Sequence, residues 1–168
     1  GGTQDDKAGG AKNEDGQSTG DNSTAHGADQ KNEGTDDGDA RTEAMLRGIT
    51  AMDYDTALAN CGTQELLMSV LSDYVEATPS KSEDIARYLN EGDYENYTIL
   101  VHALKSSSRL IGAMQLSLDA AHLEECGDKA REGDKAAMEE IAKKTPDLLL
   151  MYRSYYNKIM PLLSEDGG

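Results

Sequence analysis

Asp93-Tyr94-Glu95-Asn96-Tyr97-Thr98-Ile99-Leu100-Val101-His102-Ala103-Leu104-Lys105-Ser106-Ser107-Ser108-Arg109-Leu110-Ile111-Gly112 is the stretch whose reading decides the fold. It opens on an Asp that can cap a helix and closes on a Gly that can end one. A helix turns by about 100° per residue, so Tyr97, Val101, Leu104, Ser108 and Ile111 share a stripe, with Leu100 and Ser107 beside it. Thr98, His102, Lys105, Ser106 and Arg109 fall roughly opposite. The stretch reads as an amphipathic helix from about Tyr94 to Ile111 with an imidazole on its polar face.

The same period continues on both sides. Tyr54, Ala57 and Leu58 mark a short leading helix ending near Cys61-Gly62. Thr63 can cap a helix carrying Leu66, Leu67, Val70, Leu71, Tyr74 and Val75, which Pro79 is expected to stop. Ser80 and Glu83 form a capping-box pattern that would open another helix, with Ile85, Tyr88 and Leu89 inside and Gly92 at its end. Beyond Gly112, a helix from near Met114 is expected to bury Leu116, Leu118, Ala121, Leu123 and Cys126.

Gly133-Asp134 then separates a last segment, 135–162, where Pro146 predicts a kink, or a break with Pro146 in the first turn of a new helix. No segment alternates with period two. The expected fold is all-α, an antiparallel up-down four-helix bundle with a short leading helix. The chain has neither Phe nor Trp, so Leu, Met, Ile and Tyr must fill its core.

Residues 1–42 have alanines as their only apolar residues and cannot bury enough surface to offset their ordering entropy. They read as a disordered acidic linker or tail, with His26 lacking neighbours to position a ligand, and the bundle is assigned to 43–164. Ala44–Gly48 is expected as a short turn. The chain opens Gly1-Gly2 rather than with Met, and is expected to be a fragment of something longer.

Net charge is -16 over 168 residues. That balance disfavours nucleic acid, which needs Lys and Arg against its phosphates, and disfavours an anionic membrane surface. No apolar run approaches the ~20 residues that span a bilayer. Cys61 and Cys126 are too few for a disulfide framework, which favours a reducing, cytoplasmic setting.

Within this acidic chain, Thr98 through Leu118 contains no Asp or Glu, and Lys105 and Arg109 are its only charges. A neutral imidazole can attack phosphorus without a separate base. The phosphoryl group it would gain brings about -1.5 to -2 charges, which Lys105 one turn away could hold. Ser106, also one turn away, is small enough to leave the ring open to a docking protein. The bland reading of each residue alone is a solvated helix face; their combination points to phosphate.

The pattern His102-Ala103-Leu104-Lys105-Ser106, followed by Ile111-Gly112-Ala113, resembles the motif of histidine-containing phosphotransfer (HPt) domains, H-x-x-K-G with a later Gly. Ser106 stands where the family usually has Gly. The likeness extends over roughly residues 49–162, including Leu123-Glu124-Glu125 and the Gly133-Asp134 break. The resemblance implies a phosphorelay intermediate, a C-terminal module of a hybrid sensor histidine kinase. His102 would accept a phosphoryl group from a receiver-domain aspartate and pass it to another receiver. Lys105, Ser106 and Arg109 would contact phosphate or shape the site. It implies no ATP-dependent kinase activity and no intrinsic cofactor, with Mg²⁺ supplied by the receiver.

The alternative is an adaptor, or a degenerate HPt bundle, that binds a receiver or another partner without chemistry. Other candidates yield to structural readings. His122 and Cys126 share a helix face but lack further metal ligands, and Glu124 and Glu125 disfavour His122 as a phosphoacceptor. Glu139-Glu140 and Asp36-Asp37 are adjacent pairs that do not converge, and Ser106-Ser107-Ser108 has no Asp–His arrangement around it. Tyr152, Tyr155 and Tyr156 read as core and rim.

Overall fold

The structure is a computed structural model that describes residues 33–164. His26, most of the expected linker and the side chain of Asp36 lie outside the described residues. Four side-chain caps set helix starts. Asp53, Thr63, Asp93 and Asp134 accept from the backbone N–H groups of Thr56, Leu66, Asn96 and Ala137 respectively. The helices are α1 (Glu33–Arg47), α2 (Tyr54–Cys61), α3 (Gln64–Glu91), α4 (Tyr94–Leu110), α5 (Met114–Arg131) and α6 (Lys135–Ser164). Among the described residues none is long and apolar enough to cross a membrane.

Connections of two or three residues join α3 through α6, so consecutive helices run antiparallel. Packing closes the ring: α3 meets α4, α4 meets α5, α5 meets α6 and α6 returns to α3. The expected bundle is present, with α2 against α3 and α4. Residues 33–42, expected as linker, instead continue into α1. Its last turns are anchored by fully buried Leu46 and by Arg47, which bonds both Glu43 and Asp55. The short turn expected over Ala44–Gly48 is thus the end of a helix.

Pro79 does not stop its helix as expected, and of the kink or break expected at Pro146 there is no break. Pro79 is exposed, while Val75, Thr78, Ser82 and Ile85 are buried on either side of it. Continuous packing of that stripe outweighs the local cost of about 3 kcal/mol for a proline in a helix interior. The Thr78 hydroxyl donates to the Tyr74 carbonyl in the same turn. Ser80 and Glu83 therefore lie mid-helix rather than opening a new one. Pro146 likewise lies within α6, next to fully buried Thr145.

Tyrosine takes the place of Phe and Trp. Tyr97, Tyr152 and Tyr155 are among the largest fully buried side chains, whereas among the described residues Met52 is the only buried methionine. Methionine sits at the rim, contrary to its expected share of the core. Leu66 and Leu118, also expected inside, are exposed. A buried phenol needs a partner. Tyr97 meets the Thr145 hydroxyl at 2.6 Å, Tyr74 meets Ser108 at 3.1 Å, and Tyr155 donates to the Ala51 carbonyl at 2.5 Å. Burial pushes the Tyr97 phenol up to about 12.

Removing one member of such a pair strands the other. Tyr97→Phe should destabilise the domain by about 1–3 kcal/mol in urea unfolding, because Thr145 keeps a buried hydroxyl without its partner. Adding Thr145→Val should recover part of that loss. An additive double variant would show that the pair contributes nothing as a pair.

Candidate functional site

Helix α4 presents His102 to solvent with its side chain 59% exposed, and buries Tyr97, Val101, Leu104 and Ser108 on its other side. The face assignment made from periodicity holds, with one exception. Thr98, placed on the polar face, is buried. It points at α5, where a Cβ on Gly127 would lie 2.1 Å from its Oγ1. Only glycine permits that approach, and Thr98 and Gly127 thereby set the register of the two helices.

The consequence is Glu124. One helical turn from Gly127, its Oε1 lies 2.5 Å from His102 Nδ1 and its Oε2 lies 2.6 Å from Lys105 Nζ. The region around His102, free of acid along the sequence, is therefore not free of acid in space. This corrects the expectation of an unopposed cationic patch. Ser117 on α5 strengthens the same junction by donating to the Lys105 carbonyl at 2.9 Å. Burial raises the Glu124 carboxyl, but hydrogen bonds from Lys105 and His102 outweigh it and hold the group below its usual range.

A carboxylate can only accept, so the imidazole facing it donates from Nδ1. In the neutral ring this leaves Nε2, on the opposite edge, as the unprotonated nitrogen. The site thus combines an oriented nucleophile, an ammonium one turn away and open access. Ser106 is exposed and folds its hydroxyl back to the His102 carbonyl at 3.3 Å. Arg109 is exposed two turns along, about 10 Å from His102 along the axis. The structure brings His102, Lys105 and Ser106 together and leaves Arg109 at the margin.

Gly112 has φ 78°, and a Cβ there would lie 2.3 Å from the Asp53 carbonyl oxygen. Its role is the turn between α4 and α5. His122 contacts Glu140 at 3.1 Å, and Cys126 Sγ lies 3.8 Å from its Nε2. Among the described residues no three His, Cys, Asp or Glu side chains are grouped to hold a metal ion. Of the Glu139-Glu140 pair, Glu140 faces His122 and Lys144 while Glu139 is exposed. Tyr152 and Tyr155 are core and Tyr156 is rim.

Glu124, Thr98, Gly127 and Ser117 are the positions that sequence reasoning missed as parts of the site. A signal existed. Folding an antiparallel hairpin about Gly112 sets residues some ten to fifteen places before it against those a similar distance after it. That reflection brings Thr98 near Gly127 and His102 near Glu124. A glycine in the middle of a helical pattern also marks close approach of another element.

An exposed histidine, oriented by a carboxylate from the neighbouring helix, thus stands on one face of a four-helix bundle. A family model described as the Hpt domain matches residues 69–154, half of the chain, and the chain belongs to that family. The HPT domain from a hybrid sensor histidine kinase of Shewanella shares its fold, with a TM-score of 0.60. Identity to it is 17%, over 68% of this chain and 95% of that one. No curated protein matches the sequence. The role that follows from the family is phosphotransfer in two-component signalling.

Gly127→Ala should destabilise the bundle by about 1–3 kcal/mol through overpacking against Thr98, and Thr98→Ala should relieve it. Unchanged thermal unfolding of Gly127→Ala would show that α5 shifts freely. The lowered Glu124 value has a pH signature. Its contribution to stability is complete above the ordinary carboxylate range and is lost as pH falls through the folded value. The stability gap between wild type and Glu124→Gln should therefore narrow and close as pH falls below the ordinary carboxylate range. A gap that persists in acid would assign Glu124 an uncharged packing role.

Proposed function

We propose that His102 is the phosphoacceptor of this HPt domain and that the domain relays a phosphoryl group between receiver domains. The observation that carries this reading is the contact of His102 Nδ1 with Glu124, which leaves Nε2 as the free edge of a ring whose side chain is 59% exposed, with Lys105 bound to the same carboxylate. In the transfer step Nε2 attacks the phosphorus of a receiver's aspartyl phosphate. The O–P bond breaks, the receiver regains its carboxylate, and an N–P bond forms. Onward transfer reverses the step with a second receiver.

Lys105 stands one turn from His102, close enough to exchange part of its hold on Glu124 for a phosphoryl oxygen. In this reading Mg²⁺ belongs to the receiver's acidic pocket, and no residue of this chain is assigned to it. Exposed Ile99, one turn before His102, supplies an apolar contact for the docked receiver on the same face. Ser106 supports access to the ring by its small size, and Arg109 supports docking of an acidic partner from the margin. A cytoplasmic setting, where receivers occur, fits this role.

Incubation with a phosphorylated receiver domain should label the chain with acid-labile, base-stable phosphate, and His102→Gln should abolish the label. Label on the Gln variant would reject His102 as acceptor. Lys105→Ala should reduce the transfer rate by about tenfold or more, the scale of a lost charge-assisted contact, while the helical content stays unchanged. An unfolded Lys105→Ala variant would contradict the placement of Lys105 on the polar face.

A further inference from the structure

We propose that the groove between α3 and α4 seats a second copy of this chain, with the two α3 helices packed antiparallel about a two-fold axis at Ala77. This face is distinct from that of His102, and its assignment does not rest on the phosphoacceptor reading.

The groove encloses about 250 Å³ over a floor of Tyr74 and Tyr152, with Ser107 and Leu110 on its α4 wall. The α3 wall carries Val70, Asp73, Ala77 and Lys81. At about 100° per residue, these four and Leu66 fall within about 40° of one line along the helix. Leu66 is 54% exposed and Leu110 37%, both at the same end of the bundle. Apolar side chains that adjoin one another in solvent mark a surface of interaction, as isolated ones do not.

Charge identifies the occupant. Asp73 and Lys81 stand four residues on either side of Ala77, about 12 Å apart along the axis and too far to reach each other. Among the described residues neither enters an ion pair. Turning α3 end for end about Ala77 sets Asp73 of each copy against Lys81 of the other, so all four charges are paired at once. Ala77 has only a methyl group, which lets the two backbones approach at the axis.

The flanks agree. Leu66 and Tyr88 lie eleven residues on either side of the same point, so the exposed leucine meets the second copy's tyrosine ring. Val70 falls opposite Asp84, whose charge is already taken up by Arg87 at 3.1 Å. A shallow crossing of about 20° keeps two helices in contact over such a length. An acid, a small residue and a base at equal spacing form a pattern that complements itself, as a two-fold interface requires.

Self-association has to overcome a net charge of -16 per chain. At physiological ionic strength that repulsion is screened beyond about 8 Å, whereas the paired groups lie within that range. His102 stays clear of the contact, because Leu110 and Ser107 lie roughly 80° and 140° round α4 from it. The dimer therefore carries two open imidazoles.

Sedimentation equilibrium at about 100 µM chain, enough to populate any dimer with a micromolar constant, should give twice the chain mass of 18.1 kDa. Asp73→Lys and Lys81→Asp should each weaken the dimer by about tenfold or more, since each sets like charges opposite one another twice. Mixing the two variants should restore association, because one chain is then basic and the other acidic at both positions. Wild type at monomer mass would overturn the two-fold assembly. So would a dimer that either charge reversal leaves intact, or a mixture that stays monomeric.

Should a reversal unfold the chain, cross-linking decides without it. Ala77→Cys, in a chain with Cys61 and Cys126 changed to Ala, should form a disulfide-linked dimer with oxidised glutathione. Glu76→Cys in the same background, about 100° round the helix, should not. Equal yields from the two would reject an axis at Ala77.

Discussion

The close approach of α4 and α5 at Thr98 and Gly127 is the constraint on which the site depends. A methyl group at position 127 would meet the Thr98 hydroxyl at 2.1 Å, so the absence of a side chain there decides how near the two helices come. From that contact the antiparallel geometry carries Glu124 to His102 and Lys105 without any loop having to position them. Reactive groups held on helices are placed more rigidly than groups on loops. Here that rigidity holds one imidazole edge against Glu124.

Much of this was legible beforehand. The caps at Thr63 and Asp93, the Gly92 stop, and the burial of Tyr97, Val101 and Leu104 opposite His102 all follow from local rules. Where the reading failed, a tertiary effect had overruled a local one. Pro79 is a helix breaker in isolation, yet the stripe it interrupts is buried on both sides of it. Glu124 was invisible as a site residue because charge was counted along the chain, whereas the acid arrives from the neighbouring helix.

The core raises a related point. A bundle without Phe or Trp has to place phenols inside, and each phenol brings a hydroxyl that water can no longer satisfy. Thr145 and Ser108, fully buried, serve Tyr97 and Tyr74 in this way. Small polar residues on an apolar stripe, which look like flaws in the helical pattern, are the partners that a tyrosine-built core requires. These directional bonds also fix the pairing of α4 with α6 and of α3 with α4 more narrowly than apolar packing alone.

The turn at Gly112 accepts a backbone hydrogen bond from Asp53 at 2.9 Å, while the side chain of the same Asp53 caps α2. One residue therefore staples the incoming chain to the far end of the helix that bears His102. That helix is clamped at both ends, by Asp93 at its start and by Asp53 just beyond its finish. A pull transmitted through α1 meets this staple before it meets the imidazole. The position of His102 is in this sense held apart from strain in α1.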